Sequence, residues 1–378
     1  MATMKLEERG IVCDTSKRPP SERVAIFTGL CQARSGSIFC GFQVGKIKHA
    51  VTATALLFRS RDGGQTWSDT GARFDSKING VPGSLANAEV VEAEPGRLLL
   101  VSTWFNRSDP NRPLFDTVTQ GVLPSKQLLA ESTDDGATWS PWREIAIPEL
   151  KGCSSTGPLL RWLDGTLAYP FESYKEYDDP RPHRHGAWLI LSKDGGRTFR
   201  EVVPVAQDPA GKVYYWDQRL CIGRQPGEAV AMFWTHSLAE KRDLNVHIRS
   251  FSLQRNDTKT APIRATSIPG QITAPVLLED GRLFAFVVNR GKPGTMTLWC
   301  SRDGGTTWPE QLVVHVHDER ALATDGKSDV DYVQYWEDMG KWSFGHPAIR
   351  SLGNGKLLVA WYAGTPETMS IHWARIAV

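Results

Sequence analysis

Short apolar runs, each cut off by a turn, recur along the whole chain and leave little room for long helices. Six of them share one design, in which a turn glycine leads straight into an apolar stretch. They read SGSIFCGF, PGRLLLVS, DGTLAYPF, PGEAVAMF, DGRLFAFV and NGKLLVAW, around Gly36, Gly96, Gly165, Gly227, Gly281 and Gly355. The intervals are 60, 69, 62, 54 and 74 residues, the length of a four-stranded unit with variable loops. Each glycine is read as the hairpin between the first and second strands of such a unit. The pattern predicts an all-β chain.

A second phrase punctuates the same units. It reads SRDGGQTW from Ser60, STDDGATW from Ser132, SKDGGRTF from Ser192 and SRDGGTTW from Ser301, each after an apolar run. A strand entering a tight turn explains every fixed position. The Asp accepts backbone N–H groups within the turn, the Gly takes positive φ, and the aromatic packs on a neighbouring sheet. Four copies make an internal repeat. These residues resemble the Asp-box (BNR) repeat of the sialidase superfamily. The resemblance implies a six-bladed β-propeller with four Asp-box hairpins, two blades lacking the box. It also implies that Asp62, Asp134, Asp194 and Asp303 are structural, on the face away from the active site. Residues 1–378 are then one domain. A propeller must join its ends to remove open sheet edges, so an early strand near Gly10 to Cys13 is expected to complete the last blade beside Ser370 to Val378.

Composition changes this picture little. A net charge of +2 over 378 residues gives no support for a nucleic-acid partner. No apolar run reaches membrane-span length, and the start has no apolar stretch of signal-peptide length. The six cysteines are scattered without a CxxC pair and read as free thiols, which points to the cytoplasm. His183 with His185 and His315 with His317 form H-x-H pairs, but no third ligand stands near either. Neither a metal nor a cofactor is expected.

In a propeller the innermost strand starts at the mouth of the central funnel and the second strand ends there. Counting back from the turn glycines places Ile26, Ala86, Ser155, Asp217, Gln271 and Gly345 at the mouth. Strict alternation adds Thr28, Ala88, Gly157, Arg219, Thr273 and Pro347. The fourth unit, VYYWDQRL, stands out with Asp217 and Arg219 on one face beside Tyr215 and Trp216. Counting forward gives Trp104, Glu172, Tyr174, His236, Asn289, Arg290 and Tyr362, with Asn106, Arg107 and Glu176 nearby. Carboxylates, aromatics, Arg and His converging from several units suit a sugar site.

The rest of the family's signature is replaced. The strand equivalent to its Arg-Ile-Pro motif reads VAIFTGLCQ, and its acid/base Asp falls in GKIKHAVTATALL, where Lys46, Lys48 and His49 stand. Asp217 takes the place of the family's Glu. The family's Tyr position reads KWSFGHP, with Trp342 and Phe344, and Tyr332 and Tyr335 lie upstream. The reading is an exo-acting glycoside hydrolase for a small glycan, acidic ones included. Asp217, Glu172, His49 and Tyr174 are its candidate catalytic groups. Arg219, Arg290, His236, Trp104, Arg107, Trp216, Gln271 and Asn289 are its candidate substrate-binding groups. A lyase acting on uronate sugars and a non-catalytic sugar-binding propeller are the alternatives.

Overall fold

In the computed structural model, residues 4–147, 150–318 and 339–378 are described. Tyr332 and Tyr335 lie outside them. Apart from short 3-10 turns at Thr15–Lys17 and Pro20–Glu22 and a helical residue at Met339, the regular structure of the described residues consists of strands paired mainly antiparallel. Among the described residues they form sheets of eight, five, five, five and four strands; the eight-stranded one joins the first and last units of the chain at Val24, and the turn glycines number the units as six successive meanders. The six turn glycines all take positive φ, from 67° to 90°, between the first and second strands of a meander. A residue with Cβ resists that conformation.

The repeated Asp phrase closes the third-to-fourth strand turn in four meanders. In the first, the Asp62 carboxylate accepts from the N–H groups of Gln65 and Thr66 at 3.0 and 2.9 Å, and from the Thr66 hydroxyl. Ser60 Oγ accepts from Gly64 N at 2.8 Å, and Trp67 Nε1 donates to Gly64 O at 2.9 Å. The Asp134, Asp194 and Asp303 turns repeat the carboxylate-to-Thr bonds. These donors hold the Asp62 carboxyl down at about 2.

Cores lie between neighbouring sheets. One packs Phe39, Leu57 and Phe74 from the first meander on Leu85, Leu98 and Leu100 from the second. Sheets approach closely there: a Cβ on Gly41 would stand 2.0 Å from the carbonyl oxygen of Ala88. The chain ends meet on one meander. Lys5–Cys13 pairs antiparallel with Thr368–Ala377, whose other edge is Lys356–Thr365. Val24 adds a parallel bridge from the first meander to Met369.

The first strands matter most for the site. Each contacts the first strand of the next meander, and that of the sixth contacts that of the first, so they ring a central funnel. None of the first four, nor the sixth, runs regularly through its upper part. Val24–Gln32 has a register shift between Ile26 and Gly29, Val213–Ile222 between Trp216 and Arg219, and Phe344–Gly353 between Gly345 and Ala348. Each shift is a bulge carrying a side chain at positive φ: Phe27 at 59°, Asp217 at 46° and His346 at 54°. The second and third meanders are interrupted instead, between Gly83–Leu85 and Glu89–Glu94 and between Ser154–Ser155 and Leu160–Arg161. Bulges re-aim side chains, and these aim them into the funnel. The expected strict alternation is therefore corrected. In the first and sixth meanders the residue between the two counted positions faces the cavity: Phe27 rather than Ile26 and Thr28, His346 rather than Gly345 and Pro347.

Candidate functional site

The funnel holds an open cavity of about 110 Å³. Asp217, Glu172, Tyr174, His49 and Trp216 line it, together with Glu89, His346, Phe27, Trp234 and Trp342. The chemistry centres on two carboxylates. Glu172, near the end of Leu167–Ser173, accepts the Tyr174 hydroxyl at 2.7 Å on Oε2 and the Gln218 backbone N–H at 3.1 Å on Oε1. His185 Nε2 lies 3.1 Å from Oε2. Gln218 follows Asp217 in the bulge, so the strand that presents Asp217 also grips Glu172. The Gln218 side chain pins this junction by donating to the carbonyls of Phe171 and Trp188, at 2.9 and 2.8 Å.

Asp217 sits deep in the funnel with a face still open to the cavity. Burial first, and the Glu172 charge second, push its carboxyl up to about 7, against the pull of Arg219 and Arg290. Two neighbouring carboxyl groups that cannot both ionise freely are the arrangement that separates an acid from a base.

Arg219 does not pair with Asp217 as alternation predicts. The bulge turns its guanidinium the other way, where Nη1 lies 3.6 Å from Glu89 Oε1 and Nη2 donates to His346 Nε2. That contact makes Nε2 an acceptor, so Nδ1 carries the proton and donates to Thr28 O at 3.3 Å. Burial and the adjacent guanidinium hold His346 well below the usual imidazole range. Burial, Lys48 and Arg107 hold His49 down to about 3. Both cavity imidazoles are therefore neutral.

The tryptophan wall is braced from behind. Asp243 accepts Trp234 Nε1 at 2.8 Å, lies 3.1 Å from His236 Nδ1, and accepts Gln271 Nε2 at 3.1 Å. His236 stacks on Trp216 with centroids 5.4 Å apart. The Arg290 guanidinium lies 4.0 Å from the Trp342 ring centroid and 5.7 Å from that of Trp234. Lys48 donates to Trp342 O at 3.0 Å and to the Tyr362 hydroxyl at 3.2 Å. His236, Gln271 and Arg290 thus support aromatic rings that line the cavity. Arg107 lies beside it, bonded to Ser84 Oγ at 2.9 Å and His49 O at 3.3 Å.

Of the candidates, Arg219, Arg290, His236, Arg107 and Gln271 stand outside the cavity lining, and Trp104 and Asn289 also do not reach it. Trp104 turns into the core over Gly83, with Nε1 donating to Ser76 O at 2.7 Å, and its neighbour Phe105 lines the cavity instead. Asn289 caps a turn, its Oδ1 accepting from Gly291 N at 2.9 Å. Tyr215 packs on Phe233 and His247. Among the described residues no cluster of three His, Cys, Asp or Glu is arranged to hold a metal ion. His183 instead stacks on Tyr174, and His317 Nε2 lies 2.8 Å from Ser343 Oγ.

Comparison with known proteins agrees with the architecture. Residues 58–69 match the family described as BNR/Asp-box repeat. A sialidase from Clostridium perfringens is 26% identical over 152 residues, 37% of this chain and 38% of that protein, so the match spans well under half of the relative. Penicillium chrysogenum α-L-arabinanase, solved with arabinobiose, superposes over 100% of this chain and 99% of its own, with TM-score 0.67 and 15% identity. The Hadza microbial sialidase superposes over 94% of this chain and 66% of its own, with TM-score 0.66 and 18% identity. The all-β fold is shared with these two structures, and the resemblance to the sialidase superfamily holds.

Proposed function

We propose that the chain is one six-bladed propeller with four Asp-box hairpins, closed by the strand Lys5–Cys13, and that it works as an exo-acting glycoside hydrolase. The observation that carries this reading is the pair Asp217 and Glu172 on one funnel cavity, with Asp217 raised to about 7. Asp217 is the general acid, protonating the glycosidic oxygen. Glu172, oriented by Tyr174 and Gln218, is the carboxylate facing the anomeric carbon. The tryptophans cover the apolar face of the sugar ring. Likeness to sialidases and an arabinanase supports a carbohydrate-active enzyme. The six cysteines are unpaired and five are buried, which supports action in the cytoplasm. The lyase alternative requires a free cation over a uronate carboxylate. Arg219 is committed to Glu89 and His346, which favours the hydrolase.

The test is a leaving-group comparison on aryl glycosides of several sugars. Asp217→Asn is expected to lose about 10²- to 10⁴-fold on phenyl glycosides and much less on dinitrophenyl glycosides, which leave without a proton. Glu172→Gln is expected to lose activity on both. Equal losses for both leaving groups in Asp217→Asn would remove it as the acid.

A further inference from the structure

Glu89 is the cavity group that the two-carboxylate mechanism does not use. It opens the first strand of the second meander just after the interruption, and only 1% of its surface is exposed. Neither carboxylate oxygen has a hydrogen-bond donor among the described residues. Arg219 lies 3.6 Å away, near enough for attraction but outside hydrogen-bond range. An enclosed carboxylate without donors is a costly thing to build into a cavity wall. The backbone nevertheless makes room for it. A Cβ on Gly29, in the bulge beside Phe27, would fall 2.2 Å from Glu89 Oε2.

The surroundings define what would supply the missing donors. Glu89, Glu172 and Asp217 all face the cavity, so its wall carries three acidic side chains. The two imidazoles that face it are held neutral by burial and neighbouring cations. Arg219 is engaged by Glu89 and His346, and the Arg290 guanidinium, whose Nε and Nη1 have no hydrogen-bond partner among the described residues, lies 4.0 Å from the ring centroid of Trp342, which faces the cavity. Phe27, Phe105, Phe115, Trp216, Trp234 and Trp342 supply the apolar surface. A sugar acid would bring its negative charge against Glu172 and against two further carboxyl groups whose ionisation burial already resists. A neutral ring brings hydroxyl donors to Glu89 and C–H faces to the indoles.

We propose that this cavity is a subsite for a neutral glycosyl ring, whose hydroxyls donate to the carboxylate of Glu89, and that it does not accept sugar acids. This rests on the carbohydrate reading of the site, but its test reads binding rather than turnover. The probes are L-arabinose, D-galactose, N-acetylneuraminate and D-glucuronate, titrated calorimetrically into the full chain. At least one neutral sugar is expected to bind at least tenfold more tightly than either acid. Glu89→Gln is expected to weaken that sugar about 10- to 100-fold, the worth of a hydrogen bond to a charged group. Gly29→Ala leaves every charge in place and pushes the Glu89 carboxylate aside. It is expected to weaken the same sugar, and it serves if Glu89→Gln does not fold.

Tighter binding of either acid overturns the proposal. So does unchanged affinity in a folded Glu89→Gln or Gly29→Ala variant, or failure of all four sugars to bind. A protein that binds neutral sugars through Glu89 but cleaves no glycoside loses the hydrolase reading and keeps this subsite. One that cleaves sialosides keeps the hydrolase reading and loses the subsite.

Discussion

Replacing Asp217 by Asn tests whether this carboxyl is a protonated acid or one half of an ion pair. The folded chain holds the carboxyl at about 7, against an ordinary 3.8. Between those values the unfolded chain has lost the proton and the folded chain keeps it. Stability therefore falls as pH rises from about 4 to about 7, and is level above that. A shift of about 3 units at ~1.4 kcal/mol each gives a ceiling of about 4 kcal/mol. Asp217 keeps a face on the cavity, so about half of that, ~2 kcal/mol, is expected in practice.

The wild-type pH profile alone does not isolate this effect. Glu89, also raised to about 7, works in the same direction. His49 and His183, lowered to about 3, and His315 and His317, lowered to about 4, work in the opposite one. All of these remain in the variant, so the difference between the two proteins reports Asp217. Urea unfolding of wild type and Asp217→Asn near pH 5 and pH 8 is the assay. Between pH 5 and pH 8 only the part of the shift from 5 to about 7 is sampled, so the Asn variant is expected to gain about 1 kcal/mol on wild type between the two conditions. If Asp217 is instead an ionised partner of Arg219, its carboxyl is held low, the difference between the two proteins stays level from pH 5 to pH 8, and that result would refute the assignment of the acid.

Three further outcomes are expected. Asp62→Ala removes the acceptor of two backbone N–H groups, and chemical denaturation should register a loss of about 1 kcal/mol. That contribution is present above about pH 4 and disappears as pH falls through about 2, because the folded carboxyl is held low. Gly41→Ala drives a methyl into the Ala88 carbonyl and should cost at least ~1–3 kcal/mol by the same measurement, whereas Gly36→Ala meets no atom within 4 Å and carries only the cost of its positive φ. Removing Lys5–Cys13 bares the outer edge of Thr368–Ala377 and uncovers Trp373 beneath Gly10, so the melting temperature should fall and self-association rise in light scattering.

What the sequence made legible was local chemistry. A Ser-x-Asp-x-Gly-x-Thr phrase dictates its own turn, and a glycine at positive φ marks a hairpin wherever the chain carries it, so the meanders were readable from those residues. The cavity was readable only as far as strands run regularly. Glu172 and Tyr174 lie at the end of a regular second strand, and counting reached them. Glu89 and His346 were missed because an interruption and a bulge shift the facing residue by one. The same one-residue error at the end of Arg97–Asn106 selected Trp104 in place of Phe105. Nothing in composition marked Glu89 in advance, since its strand EVVEAE carries two further glutamates and only Glu89 is buried. Trp234 was passed over for its neighbours Thr235 and His236 in the forward count, and the Arg290 guanidinium 4.0 Å from the Trp342 ring centroid is a contact between neighbouring meanders that spacing along the chain does not show.

The bulges explain these errors, and Phe27 allows their strain to be measured. Asp217 and His346 also occupy positive φ, but the first carries the proposed chemistry and the second bonds to Arg219. Phe27 offers only its ring, packed 4.9 Å from His346 and 5.7 Å from His49. Phe27→Ala and Phe27→Gly lose that ring equally. Ala keeps the left-handed backbone, worth about 1–2 kcal/mol of strain. Gly removes the strain but costs about 0.5–1 kcal/mol in unfolded-chain entropy. Gly should therefore be more stable than Ala at this position by about 0.5–1 kcal/mol, the reverse of the usual order within a strand. Both variants should bind a neutral sugar more weakly than wild type, since each removes the same piece of cavity wall. Urea midpoints of the two proteins, compared directly, settle the order. An Ala variant equal to or more stable than the Gly variant would mean that the bulge at Phe27 stores no strain. The bulges would then be ordinary irregularities of the strands and not a device that holds side chains in the funnel.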